Sequence, residues 1–495
     1  MAASKVFLAF DLGAESGRGV LGRFDGERLA LEVIHRFPNP TVRLLDTLHW
    51  DTPGQFRELL AALRLCARDH TSALAGIGVD TWGVDFGLFG ADGSLLGLPV
   101  HYRDARTDGM LDAAFAKVPR ERIFARTGIQ FMQLNTLYQL LALRLADAPQ
   151  LRLASKLLFT PDIFNYWFTG RQVSELSIAS TSQFWDPAAR DWCRDLLAEL
   201  DIPSVMLPPV VPPGTVVGPL LEWIQADSGL GAVPVIAPGC HDTASAVAAV
   251  PAVGEDHAYI SSGTWSLMGI ESPQPLITDQ TRELNFTNEG GVCDTVRFLK
   301  NIMGLWLVQE CRRAFAKAGD DYDYATLTAL AAEAPAFGPI IDPDNARFLN
   351  PASMPEAIAD FCAATGQAAP QGPGALVRCG LESLALKYRW VTDKLGAIRG
   401  RAITSLNMVG GGTQNKLLCQ LTADCAGLPV IAGPIEATAT GNLLMQAMAV
   451  GELASLDELR QVVRNSFELE THEPEPAHAA AWDDAYGRFV TLLGA

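Results

Sequence analysis

The chain opens on an unbroken apolar run, Val6–Phe10, then a polar, glycine-bearing turn, Asp11–Gly17, then a second run, Gly19–Phe24. Short apolar runs bounded by turn residues predict buried strands. Leu29–Phe37 extends the pattern as a third strand. From Pro53 to His70 the period changes, and Phe56, Leu59, Leu60, Leu63 and Leu65 cluster at helical spacing. Ala75–Val79 predicts a further buried strand. Val84–Phe89 and Leu95–Val100, flanking Gly90-Ala91-Asp92-Gly93, predict a hairpin, and Leu134–Leu145 and Pro161–Phe168 predict helices. Pro208–Pro219, with five prolines and two glycines, reads as a linker.

After that stretch a short strand, Val233–Ala237, leads into Gly239-Cys240-His241-Asp242-Thr243-Ala244-Ser245 and a helix over Ala244–Val250. The opening pattern then returns in kind, though not in sequence. Ala258–Ser261 and Trp265–Ile270 are strands around the turn Ser262-Gly263-Thr264. Further on, Ser405–Val409, Gly410-Gly411-Gly412 and Gln414–Ala426 form a strand, a glycine loop and a helix, a unit whose free helix amides suit phosphate. The mixed charges of Glu382–Lys394 read as a solvated helix face.

With 495 residues the chain exceeds what one hydrophobic core serves, roughly 250–300 residues, so two large lobes are expected. Its 48% apolar and 19% charged residues exclude disorder. A formal net charge of −18 argues against nucleic acid and anionic membrane as partners. The same charge means that phosphate must be held by local donors and a bound cation. The nine cysteines form no C-x-x-C pair, and no H-E-x-x-H occurs, which argues against structural zinc. Their odd number suggests free thiols in a reducing cytoplasm; Cys362 and Cys379 either pair on oxidation or, as expected, pack in a core. Met1–Phe10 lacks the architecture of a signal peptide, and no apolar run reaches the ~20 residues of a membrane span. A small-molecule substrate is expected, with the chain a monomer or a small homo-oligomer.

Three turns are candidates for one nucleotide. In Asp11-Leu12-Gly13-Ala14-Glu15-Ser16-Gly17-Arg18 the glycines allow close backbone approach, and Asp11 is placed to hold a cation directly or through water. Ser262-Gly263-Thr264 adds a hydroxyl and turn amides, and Gly410-Gly411-Gly412 precedes a helix start. Taken alone, the first reads as readily as an ordinary hairpin, and the other two read better as a hairpin turn and a tight strand-to-helix connection. Their order along the chain matches actin-like ATPases, with two ribonuclease H-like α/β lobes around a central cleft for nucleotide and sugar. G-x-x-x-x-G-K-[ST] is absent, which excludes a P-loop, and so is G-x-G-x-x-G. Asp242 at a helix start is either an N-cap or a base; His241 beside it either bonds a hydroxyl or orients the loop. Trp82 either stacks on a sugar face or packs in the core. Of Asp80 and Asp85, one is expected to be structural. Arg103 either holds a hydroxyl or pairs with Asp104 or Asp85.

These segments resemble the FGGY family of carbohydrate kinases. The first turn is similar to the family's phosphate hairpin, with Ala14 in place of its usual threonine. Gly239–Ala244 resembles its catalytic segment, Ser262-Gly263-Thr264-Trp265 its second phosphate turn, and Gly410–Asp424 its adenosine motif. Asp80–Phe86, Tyr102-Arg103-Asp104, Asn135–Gln139 and Lys300–Trp306 resemble the branch of that family acting on L-rhamnulose. The resemblance implies ATP, with Mg²⁺, as phosphoryl donor. It implies that Ala14, Glu15, Ser16, Gly17, Arg18 and Thr264 line the phosphates. Gln309 and Gly411 belong to the nucleotide site, to which Gly13, Gly410 and Asn415 are added from the same motifs. Gly83, His241, Asp242, Thr243 and Asn301 would touch the sugar, and Asp242 would be the base. Asp11 is the first candidate for the metal and Asp242 a second. A related ketose kinase, for L-fuculose or L-xylulose, and an ATPase that drives association are the competing expectations. The first lobe is expected over residues 1–249 and the second over 250–455, with 456–495 packing back on the first.

Overall fold

The computed structural model describes residues 4–71 and 73–494. They form two compact units, each assembled from three stretches of chain. The first takes the chain up to Ala249, Glu271–Phe298 and Ala437–Ser466; the second takes Val250–Ile270, Leu299–Glu436 and the chain from Phe467.

The first unit is built on six strands: β1 (Lys5–Leu12), β2 (Ser16–Phe24), β3 (Leu29–Pro38), β4 (Gly76–Thr81), β5 (Thr215–Pro219) and β6 (Pro234–Ala237), in the order β5-β6-β4-β1-β2-β3. β1 runs antiparallel to β2 and parallel to β4, with Asp11 opposite Asp80. β1 is apolar on both faces because both are covered, and Phe7, Leu8, Ala9 and Phe10 have no exposed surface. The helix Ala437–Ala449 packs on β1 and β4. Helix Thr52–Leu65 starts where Asp51 accepts from the Gly54 N–H, and it runs on without a break into a wider, π-helical turn, Cys66–His70, as far as the expected helix.

In the second unit the strands β7 (His257–Ser262), β8 (Trp265–Ser272), β9 (Val296–Met303), β10 (Ser405–Val409), β11 (Val430–Ala432) and β12 (Glu470–His472) follow the order β9-β8-β7-β10-β11-β12. β7 is antiparallel to β8 and parallel to β10, the arrangement of β1 with β2 and β4. The strand–turn–strand units read from the sequence thus open both units.

Several expectations are corrected. The expected hairpin is short, an antiparallel Phe89–Leu95 bridge with the Leu96 N–H donating to the Leu88 carbonyl, and the main partner of Phe86–Phe89 is Lys156–Phe159. The expected linker contains β5, an edge strand that tolerates its proline. Helix Gly372–Arg399 buries Glu382 and Lys387 instead of solvating them; Arg378 pairs with Glu382, and Lys387 lies 2.9 Å from both Asp342 and Asp344. The unit boundaries also differ from those expected. Helices Ala437–Ala449 and Leu456–Ser466 belong to the first unit, whereas helix Ala479–Leu493 belongs to the second, where Trp482 packs edge-on against Phe337. A helix's apolar stripe says that it is covered, not by which sheet. All nine cysteines are free thiols, Cys362 and Cys379 among the buried ones. Among the described residues no helix is long and apolar enough to cross a membrane.

Candidate active site

In the first unit the turn between β1 and β2 is closed by the Gly13 N–H donating to the Ser16 carbonyl. Asn39 clamps it from outside. Its side-chain amide donates to the Gly13 carbonyl and its N–H to that of Glu15, and Gln55 in turn holds the Asn39 side chain. Gly17 is required by packing, since a Cβ there would sit 2.2 Å from the Phe37 ring. Ala14 and Ser16 are half-buried and Glu15 is exposed. Asp11 is buried and accepts from the Arg18 guanidinium at 2.7 and 3.0 Å.

The segment before Asp242 is positioned by buried partners. The Glu175 carboxylate accepts from the N–H groups of Ser177, Ile178 and Cys240, and the Ser177 hydroxyl accepts from the His241 N–H at 3.0 Å. Thr81, at the end of β4, bridges to His241 in parallel register. Asp242 is therefore the first residue of helix Asp242–Ala248, and His241, not Asp242, is its N-cap. The Asp242 carboxylate caps no later amide: it accepts from its neighbour Thr243, N–H at 2.5 Å and hydroxyl at 3.1 Å. Burial pushes its pKa above the usual carboxylate range. Asp11 pushes it further, while His241 and Thr243 pull it back. His241 Nε2 lies 3.4 Å from Asp242 Oδ1. On the other side of the ring, Nδ1 lies 3.1 Å from the fully buried Arg297 and 3.3 Å from Glu289. Arg297 also contacts Glu289 at 3.2 Å.

Gly83 stands beside this group, since a Cβ on it would lie 3.3 Å from His241 Nε2. Trp82 is almost wholly buried: its indole N–H donates to Asp85 at 2.9 Å and its ring lies 4.1 Å from that of Trp50. The packing reading therefore describes Trp82. Arg103 is half-buried over the Tyr102 ring, 5.3 Å away. Both Asp80 and Asp85 are buried and hydrogen-bonded within the fold. Asp80 accepts from Asn442 at 2.5 Å, and burial and then Asp11 push its pKa well up. Burial pushes Asp85 up to about 6, against the donors that surround it.

In the second unit two of the predicted turns come together. A Cβ on Gly412 would sit 2.0 Å from the Ser262 hydroxyl, so the glycine loop rests on the β7–β8 turn. Gly410 has φ +89° and its N–H donates to the Pro434 carbonyl. Gly411 is exposed with open space on its Cα, and Asn415 caps helix Lys416–Ala426 by accepting from the Leu418 N–H. The Gly263 and Thr264 carbonyls accept from Leu305 and Trp306, which fixes the start of helix Trp306–Ala318 against the turn. That helix carries Gln309, whose side-chain oxygen is buried without a hydrogen-bond partner among the described residues. Asn301 is half-buried on β9. Among the described residues no group of three or more His, Cys, Asp or Glu side chains could hold a metal ion by itself.

Glu175, Glu289, Arg297, Asn39 and Asn442 all support these groups, and no local motif singled them out. Each lies far along the chain from the residue it holds.

Residues 6–249 match the N-terminal domain of the FGGY family of carbohydrate kinases, and residues 258–450 match its C-terminal domain. The rhamnulokinase of Bacteroides thetaiotaomicron is 46% identical over 487 residues, 98% of this chain and 99% of its own. That of Pectobacterium atrosepticum is 44% identical over 486 residues, 97% of this chain and 96% of its own. Among solved structures, a gluconate kinase from Lactobacillus acidophilus superposes with a TM-score of 0.80 at 18% identity, covering 99% of this chain and 97% of that one. A xylulose kinase from Rhodospirillum rubrum gives 0.79 at 21% identity, covering 99% and 98%. At such identities these two speak for the fold alone, that of two-domain sugar kinases.

Proposed function

Because the chain belongs to the FGGY family of carbohydrate kinases, and ATP is the phosphoryl donor that membership implies, we propose that it transfers the γ-phosphoryl group of MgATP to the 1-hydroxyl of L-rhamnulose. The observation that carries this reading is the group Gly83, His241 and Asp242, with the Asp242 carboxylate free of any capping duty. The identity of the sugar rests on the rhamnulokinases that the chain resembles over nearly its full length.

In this reading Asp242 accepts the proton of the 1-hydroxyl as its oxygen bonds to the γ-phosphorus and the bond to the ADP oxygen breaks. Gly83, His241, Thr243 and Asn301 orient the sugar, with Arg103 at hand for a hydroxyl. Trp82 serves from behind as packing. Gly13 to Arg18 and Thr264 are proposed for the phosphates, and Gln309, Gly410, Gly411 and Asn415 for the rest of the nucleotide. The buried, unpartnered oxygen of Gln309 supports its part, because a polar atom left so is costly without a ligand. Mg²⁺ would neutralise phosphate charge when bound. It takes one or two carboxylates with phosphate oxygens and water, so Asp11, with Asp242 as a second candidate, suffices without a protein cage.

The test is turnover of MgATP by the purified protein against L-rhamnulose, L-fuculose, L-xylulose and D-xylulose, with and without EDTA. The highest kcat/KM is expected for L-rhamnulose, with no turnover under EDTA. Asp242→Asn is expected to lower kcat by roughly 10² to 10⁴ while ATP binding persists. ATP consumption that ignores sugar would overturn the reading; a preference for L-fuculose would move the substrate.

A further inference from the structure

Val84 is β-branched and buried, yet its backbone sits at φ +68°, where side chains of its kind are rarely found. The Asp85 N–H donates to the Gly83 carbonyl at 2.9 Å. Residues 83–85 thus close a three-residue γ-turn centred on Val84, in the strained form with positive φ. A chain that needed only to change direction here would carry glycine at the centre, as it does one residue earlier.

The turn is held by partners from several separate segments. The Val84 N–H donates to the Thr181 hydroxyl at 3.1 Å, and the Val84 carbonyl accepts from the Thr136 hydroxyl at 2.6 Å. The Asp85 carbonyl accepts from the Thr160 N–H and hydroxyl, at 3.1 and 3.2 Å. The Asp85 carboxylate gathers four more donors: the indoles of Trp50 (2.6 Å) and Trp82 (2.9 Å), the Tyr102 N–H (3.2 Å) and the Gln139 amide (3.1 Å). Trp50 is itself sandwiched, its ring 4.1 Å from Trp82 and 4.3 Å from His101. Strain persists in a fold only where the surroundings over-determine it, and it gathers at functional sites. The feature that this arrangement fixes is Gly83, set within 3.3 Å of both His241 and Thr181 measured from its would-be Cβ.

We propose that the Gly83–Asp85 turn is the positioning element for the acceptor sugar, with Asp85 as the residue that holds it in register with His241 and Asp242. Asp85 touches no reacting atom; it acts through the turn and through the Trp82 indole. This rests on the reading that Gly83 meets the sugar. A turn of relaxed geometry at this point would let Gly83 drift from the His241 ring and loosen the acceptor's fit, while leaving the β1–β2 turn as it is.

The test uses the full chain and two variants. Val84→Gly removes the strain without removing a hydrogen bond, so the fold is retained and the turn is free to relax. Asp85→Asn keeps the shape but turns one acceptor oxygen into a donor facing donors. For both, KM for the sugar is expected to rise roughly tenfold or more, since small displacements of a bound reactant are amplified in rate and binding. KM for ATP should stay within about twofold, while in Val84→Gly relieved strain is set against the buried isopropyl group that is lost. A merely structural turn would leave the sugar KM unchanged whatever the change in stability. Should Asp85→Asn fail to fold, Val84→Gly decides alone. If wild-type turnover depends on sugar but Val84→Gly leaves sugar KM within about twofold, the positioning role is wrong and the kinase reading stands. If no sugar stimulates wild-type turnover, the kinase reading itself has failed.

Discussion

His241 illustrates how much chemistry one residue's neighbours decide. Its Nδ1 lies 3.1 Å from Arg297 and 3.3 Å from Glu289, and its Nε2 faces Asp242 at 3.4 Å. The His241 ring stabilises the ionised carboxylate, opposing the push from burial and from Asp11. A base must be unprotonated, so kcat/KM is expected to fall as pH drops through the raised pKa of Asp242. In His241→Ala the stabilising partner is gone, and the acid limb of the kcat/KM profile should move to higher pH. Profiles of both proteins between about pH 5 and 8 check this; a limb that stays in place would mean that His241 does not tune the base. Asp242, His241 and Gly83 were legible in the sequence because each sits in a short run of distinctive neighbours. Arg297 is 56 positions from His241, and Glu175 is 65 from the Cys240 amide it holds. Sequence spacing carries no trace of such pairings. Trp82 was open between two readings, and only the Asp85 contact and the Trp50 ring decide it.

At the scale of elements, the strands read best where burial is two-sided. β1 carries an apolar run buried on both faces, and β7 and β10 are buried along most of their length, Asn407 included. The pairing of Phe86–Phe89 was not legible, since its partner strand lies far beyond the local turn. Helix Ala437–Ala449 was missed as part of the first unit for a similar reason. It is buried over most of its length, with Asn442 bonded to Asp80 and Gln446 to the Leu8 carbonyl. Its contact with helix Asp242–Ala248 is unusually close. A Cβ on Gly441 would stand 1.8 Å from the Ser245 carbonyl oxygen, which is backbone and cannot step aside. Gly441→Ala is therefore expected to destabilise the protein by about 1–3 kcal/mol or more through overpacking, despite alanine's better helix propensity. Urea denaturation measures it. A midpoint equal to or above the parent's would show that the two helices part without cost, and that the base-bearing helix is not held from behind.

For the whole molecule, the path of the chain sets what can fold alone. The N-terminal family match ends at residue 249, yet the first compact unit also needs Glu271–Phe298 and Ala437–Ser466. Those stretches supply Glu289 and Arg297 beside His241, and Asn442 beside Asp80. Without them Asp80 is a buried carboxylate with no donor from Asn442, and Leu443 no longer fills the space above Gly22. The apolar cover lost from β1 and β4 would be exposed to water, at a cost of about 25 cal/mol for each Å² uncovered. A fragment ending at Ala249 is therefore expected to lack a cooperative transition and to aggregate, although it contains all of β1 to β6 and the Asp242 helix. A second fragment should behave differently. Joining the chain up to Ala249 to Glu271–Phe298 and Ala437–Ser466 through flexible linkers restores those partners, so a cooperative urea transition and a near-ultraviolet circular dichroism signal should return. If the fragment ending at Ala249 unfolds as cooperatively as the joined one, the returning segments contribute only local support. The first unit would then be a domain in sequence as well as in space.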